Sequence, residues 1–107
     1  MTEYDVLLAD CPARTALELI SGTWMIVVLV GLAHGPQRYS DLRRRSGGIT
    51  KKMLSQTLAR AVDGGLVRRP DQRGGAYALS ALGESLLVPV TALTTWAETH
   101  ADELAER

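Results

Sequence analysis

The stretch Thr50-Lys51-Lys52-Met53-Leu54-Ser55-Gln56-Thr57-Leu58-Ala59-Arg60-Ala61-Val62-Asp63 decides how the rest of this chain is read. Thr50 is a good helix N-cap, because its hydroxyl can accept a free first-turn amide, and Gly64-Gly65 is a stop. Leu54, Leu58, Ala61 and Val62 recur at helical spacing and define a buried stripe. With that stripe inward, a rotation of about 100° per residue turns Lys52, Ser55, Gln56, Ala59 and Arg60 outward. The outward face is polar, basic and free of carboxylates. Gln56 matches the edge of adenine, Lys52 suits guanine or a phosphate, and Ser55 suits either role. The helix start at Thr50-Lys51 offers unpaired amides and a positive dipole end to a phosphate. A major groove about 12 Å wide admits one such helix.

Upstream, Ser40 reads as the N-cap of a short helix, Asp41 to about Arg45, closed by Gly47-Gly48. Downstream, Leu66-Val67-Arg68-Arg69 and Ala76-Tyr77-Ala78-Leu79 read as the two strands of a hairpin around the loop Pro70 to Gly75. A brace helix, a reading helix and a hairpin with a basic tip make a winged helix-turn-helix pattern. Arg38, Ser40 and Arg43 around the brace, and Arg68, Arg69 and Arg73 on the hairpin, join Thr50, Lys51, Lys52, Ser55, Gln56 and Arg60 as candidate DNA contacts. Charge supports this. From Pro36 to Gly75 ten basic residues stand against three acidic ones, a net +7. Elsewhere Arg14 and Arg107 stand against nine acids, a net −7, so the formal charge of zero conceals a polarised chain. A surface of one sign, kept clear of the other, suits a phosphate backbone.

The flanks are also helical. Ala13 to about Ile20 ends at Ser21-Gly22. Thr23 then reads as the cap of a helix to about Ala33, whose residues are apolar nearly all round and therefore central. Ser80 caps another helix, which Pro89 should interrupt or kink. Beyond it Val90, Leu93, Ala97, His100 and Leu104 keep helical spacing to the end. Of these, Val90, Leu93, Ala97 and Leu104 form with Trp96 an apolar stripe that 107 residues cannot easily bury alone; a helix folded back on its own core is the alternative. Val6, Leu7 and Leu8 likewise need a partner surface. The expected architecture is mainly α with a small β-hairpin: one winged helix-turn-helix domain over residues 1–107, with N- and C-terminal dimerisation helices. Within it the helix-turn-helix covers about 39–64, the wing about 66–79 and the C-terminal dimerisation helix about 89–105. A symmetric dimer would read an inverted repeat in double-stranded DNA.

Other classes fit less well. The two histidines are isolated and no glycine-rich phosphate loop precedes a helix, which argues against an enzyme. Cys11, His34 and His100 lack the paired spacings of a metal site, and no cofactor is expected. The longest apolar run, Trp24 to Ala33, is about half of a membrane span. With one cysteine, and Glu3, Asp5 and Asp10 where a leader would be basic, a soluble cytoplasmic domain is expected. A winged helix that binds only proteins is the remaining rival, and it would want an apolar outward face on residues 50–63.

The chain resembles the HxlR-type branch of the MarR-like winged-helix transcriptional regulators. The resemblance rests on Cys11-Pro12, Leu19-Ile20-Ser21-Gly22-Thr23-Trp24, His34-Gly35-Pro36, Arg38-Tyr39-Ser40-Asp41-Leu42, residues Gly48 to Leu58, Gly65-Leu66-Val67 and residues Tyr77 to Gly83. It departs at Thr23, where the family pattern usually has lysine, and in a loop at Pro70 to Gly75 shorter than the usual wing. The resemblance implies a homodimeric regulator, more often a repressor, and in some members a sensing cysteine near the position of Cys11. Cys11 precedes a helix start, where the dipole favours thiolate, so an oxidant or electrophile is one candidate signal. A packing cysteine is the alternative reading. A small apolar or aromatic ligand held among Trp24, Met25, Trp96 and His100 is another candidate signal.

Overall fold

The computed structural model describes residues 11–106; Val6, Leu7 and Leu8 of the expected dimer surface lie outside them. The elements run α1 (Pro12–Leu19), α2 (Thr23–Leu32), β1 (Gln37–Arg38), α3 (Tyr39–Arg45), α4 (Lys51–Asp63), β2 (Val67–Arg68), β3 (Ala76–Leu79), α5 (Ala81–Thr99) and α6 (Ala101–Ala105). Helix α2 is the hub, packing on α3, α4, α5 and β3. It buries Met25, Val28, Leu29 and Leu32, a one-face repeat of three and four residues. Leu42 of α3, Ile49, Leu54, Leu58 and Ala61 of α4, Leu66, Val67 and Leu79 complete the core. Leu42 comes so near α2 that a β-carbon on Gly31 would sit 3.3 Å from its Cδ2.

The sheet has three strands in the order β1-β3-β2, all antiparallel. Val67 pairs with Leu79, and both face the core. Gln37 pairs with Tyr77 and Arg38 with Ala76. Sequence spacing predicts only the hairpin; β1 is two residues long and carries no alternation from which a strand could be read.

Helix boundaries follow local chemistry. Thr50 caps α4 as expected, its Oγ1 accepting from Met53 N at 3.1 Å. Ser80 caps α5, its Oγ accepting from Gly83 N at 3.0 Å. Two expected caps are corrected. Thr23 is the first residue of α2 and the cap position is Gly22, at φ 90°, a conformation that favours glycine. Ser40 lies inside the first turn of α3, which begins at Tyr39 straight after β1. At the end of α4, Leu66 N donates to Ala61 O at 2.9 Å and Gly65 N to Val62 O at 3.0 Å. This is a Schellman closure, with Gly65 in the left-handed region at φ 78°.

Helix α5 runs unbroken through Pro89, against the expected interruption. Proline removes the donor for the Ser85 carbonyl, but Ser85 and Pro89 are both exposed, so solvent can take that bond. The expected helix over 89–105 is instead the second half of α5 plus α6, with a break at His100 (φ −107°, ψ 23°). Between Thr91 and Glu106 no residue is buried, and Leu93, Trp96 and Leu104 are 48%, 52% and 37% exposed. Val90, expected at the dimer surface, is corrected: at 1% exposure it is buried within the chain's own fold. The radius of gyration, 15.1 Å, exceeds the roughly 13 Å of a compact chain of this length, as an arm projecting beyond Val90 requires.

Candidate nucleic-acid interface

Helices α3 and α4 are joined by the turn Ser46-Gly47-Gly48-Ile49-Thr50. Ser46 N donates to Leu42 O at 2.9 Å, Ile49 N donates to Ser46 O at 3.0 Å, and buried Ile49 pins the turn to the core. Gly48 at φ 85° makes the reversal. Helix α4 buries Leu54, Thr57, Leu58 and Ala61, and Thr57 Oγ1 donates to Met53 O at 2.7 Å, so its buried hydroxyl is satisfied. Lys51, Lys52, Ser55, Gln56, Ala59 and Arg60 are all exposed, so the rotation inferred from the sequence is the rotation adopted.

Two residues of this face are not among those picked from the sequence. Tyr39, at the start of α3, donates its hydroxyl hydrogen to Lys51 O at 3.0 Å and lies 3.1 Å from Ser55 Oγ. The phenol thereby clamps the brace to the first turn of α4, across a sequence separation no local pattern reveals. Met53 is 39% exposed beside Lys52 and offers the apolar contact that a thymine methyl takes. Its place on the helical rotation was a usable signal.

The basic residues fall into separate groups. Ser40, Arg43, Arg44 and Lys51 line an open cleft of about 590 Å³ with Tyr39 and Ile49. Arg44 is paired with Asp41 one turn back, whereas Arg45 lines a different, smaller hollow beside Val27, Val30 and His34. Arg68 and Arg69 flank one hollow at the wing root, and Arg69 and Arg73 another, which Tyr39 and Tyr77 also line. Tyr39 therefore touches both the brace cleft and the wing. Arg38 is exposed at the end of β1. The wing turn is tight: a β-carbon on Gly75 would meet Pro70 Cβ at 2.8 Å and Gln72 O at 3.0 Å.

Arg60 departs from its expected place on the reading face. Its Nη2 donates to Glu18 O at 3.2 Å and to Leu19 O at 3.4 Å. Those are last-turn carbonyls of α1, attractive to a cation; the Glu18 carbonyl also accepts from Ser21 N at 3.3 Å and from Ser21 Oγ at 2.8 Å. Cys11 is buried, at 4% exposure, in the cap position of α1, and its carbonyl accepts from Arg14 N and Thr15 N. The four residues proposed for a ligand pocket divide: Met25 belongs to the core with Trp24 packed against it, while the rings of Trp96 and His100 meet at a tilt of 37°, their centroids 4.9 Å apart. Among the described residues, no single helix is long and apolar enough to cross a membrane.

A family model for the HxlR-like helix-turn-helix matches residues 19–105, which takes in α2 to α6. The HTH-type transcriptional regulator YtfH of Escherichia coli (strain K12) is 33% identical over 111 residues, covering 97% of this chain and 86% of that protein. The HTH-type transcriptional regulator YkvN of Bacillus subtilis (strain 168) is 36% identical over 98 residues, covering 88% and 83%. Among solved structures, the transcriptional regulator YtfH from Salmonella typhimurium superposes with a TM-score of 0.80 at 32% identity, over 97% of this chain and 96% of that one. The redox regulator HypR in its reduced form superposes at 0.81 with 27% identity, over 90% and 99%. The chain belongs to the HxlR-like helix-turn-helix family and is a DNA-binding transcriptional regulator.

Proposed function

We propose that the chain works in the cytoplasm as a homodimeric repressor, binding an inverted-repeat operator and releasing it when Cys11 is oxidised or alkylated. The observation that carries the DNA-binding part is the exposed α4 face from Lys51 to Ala59, without a carboxylate and flanked by the Arg43–Lys51 cleft and the arginines of the wing. Lys51, Lys52, Arg43 and the wing arginines meet phosphates, while Ser55 and Gln56 meet base edges. Its role is binding and not catalysis. A dimer places two α4 helices about 34–36 Å apart, one turn of the duplex, and a dimer seated on a promoter excludes other proteins from it.

Sequencing of genomic fragments bound by the purified protein tests this reading. Recovered half-sites should be inverted repeats, and affinity should fall steeply with salt, because phosphate contacts release counterions. Lys52→Ala should weaken binding to all sequences and flatten the salt slope by about one. Gln56→Ala should relax preference at one position per half-site, worth about 1–3 kcal/mol. Binding indifferent to salt, or absent with every duplex, would leave a protein-interaction module instead.

The signal is supported by the likeness to HypR, a redox regulator, at 27% identity, and by the position of Cys11 at the head of α1. With one cysteine in the chain, a disulfide requires a second molecule, either the partner copy or a small thiol. Cys11→Ser should bind the operator as the parent does and stay bound in diamide or a quinone. Release undiminished by the substitution would remove Cys11 from the mechanism.

A further inference from the structure

The pair Tyr39 and Ser55 sets the hydrogen-bond polarity of the reading face. A phenol carries one hydrogen. The Lys51 carbonyl, 3.0 Å from the Tyr39 hydroxyl, can only accept, so that hydrogen is committed to it. The Tyr39–Ser55 contact at 3.1 Å must then be closed by the serine, whose hydroxyl donates to the tyrosine oxygen. The opposite assignment would leave the Tyr39 oxygen facing the Lys51 carbonyl oxygen at 3.0 Å with no hydrogen between them. The relay therefore runs from Ser55 to Tyr39 to the Lys51 carbonyl, and each link polarises the next.

A free serine pairs with donors and acceptors alike. Ser55 is exposed on the groove-facing side of α4, but its one hydrogen points back to Tyr39, so what it shows outward is lone pairs. In the major groove the donors are the amino groups of adenine and cytosine, whereas guanine and thymine present acceptors at the corresponding place. We infer that Ser55 is a specificity residue that accepts from the amino group of adenine or cytosine, and that Tyr39 is the positioning residue that makes it acceptor-only. This rests on the DNA-binding reading of α4 and adds to it the class of base that one position selects.

The test is selection of bound duplexes from a randomised pool by the full chain and by three variants, Tyr39→Phe, Ser55→Ala and Gln56→Ala. Thermal melts confirm that each variant is folded; Tyr39→Phe keeps the ring and loses only the hydroxyl. The parent should select adenine or cytosine over guanine or thymine, by on the order of tenfold, at one position per half-site. Ser55→Ala should erase that preference and Gln56→Ala should leave it. Tyr39→Phe should admit guanine and thymine at the same position while preferences elsewhere persist, a pattern that general loosening of the fold does not produce. The inference is overturned if the Ser55-dependent position prefers guanine or thymine, or if Tyr39→Phe keeps the parent profile at every position. A parent that enriches no sequence at all overturns the DNA-binding reading itself, and the inference with it; a parent that enriches a site without a Ser55-dependent position overturns the inference alone.

Discussion

Arg60 donates to the last carbonyls of α1 from the middle of α4, and in doing so it leaves the face on which sequence spacing puts it. Helical rotation gives the direction in which a side chain leaves the backbone; it does not give the destination of a long, flexible one. Arg60→Ala should therefore cost stability, about 1 kcal/mol by urea denaturation, since the site is exposed and screened. Base preference in selected duplexes should stay as in the parent. A variant with parental stability and altered preference would put Arg60 back in the groove. The helix caps differ in the same way, residue by residue. Thr50 and Ser80 were legible because each stands alone before a clear helical run. Thr23 and Ser40 have competitors: Gly22 already makes the turn into α2, and β1 hands the chain to α3 one residue early.

Between elements, the tightest junction is that of α4, β2 and α5. Ser80 N donates to Leu66 O at 2.9 Å, and Ser80 Oγ donates to Gly65 O and accepts from Gly83 N. One residue thus ties the end of α4 to the start of α5. The backbones come so near that a β-carbon on Gly83 would collide with Leu66 O, an atom that cannot rotate away. Gly83→Ala should destabilise the fold by about 3 kcal/mol, seen as a lower urea midpoint; a change below about 0.5 kcal/mol would mean the junction is looser than described. The element types of this region were readable from Gly64-Gly65, the alternation of the strands and the Ser80 cap. Strand β1 was not, because two residues have no periodicity. Its existence depends on β3 arriving from far along the chain in the register that sets Gln37 against Tyr77 and Arg38 against Ala76. Pro89 misled for a similar reason: its cost depends on whether the freed carbonyl meets solvent, which is a tertiary fact.

For the molecule as a whole, the split of charge along the sequence maps onto different elements among the described residues. The basic residues gather on α3, α4 and the wing, while Glu98, Asp102, Glu103 and Glu106 lie on the projecting arm of α5 and α6 and at its end. That arm exposes Leu93 and Trp96; about half of each is already covered, so burying the rest against the proposed second copy is worth roughly 1 kcal/mol each. Replacing both, Leu93→Glu with Trp96→Glu, should give a monomer in sedimentation or light scattering and weaken operator binding by at least about tenfold, with the melting temperature of the reading head little changed. A double variant that remains a dimer would move the interface to another surface.

The order β1-β3-β2 has a mechanical consequence. Strand β1 passes into α3 without an intervening residue and is hydrogen-bonded to β3, the strand that returns from the wing loop. The start of the brace and the root of the wing are therefore tied together by backbone hydrogen bonds, while Arg73 stands beyond the paired strands, in the wing loop. A displacement of the wing root is passed directly to the first turn of the brace.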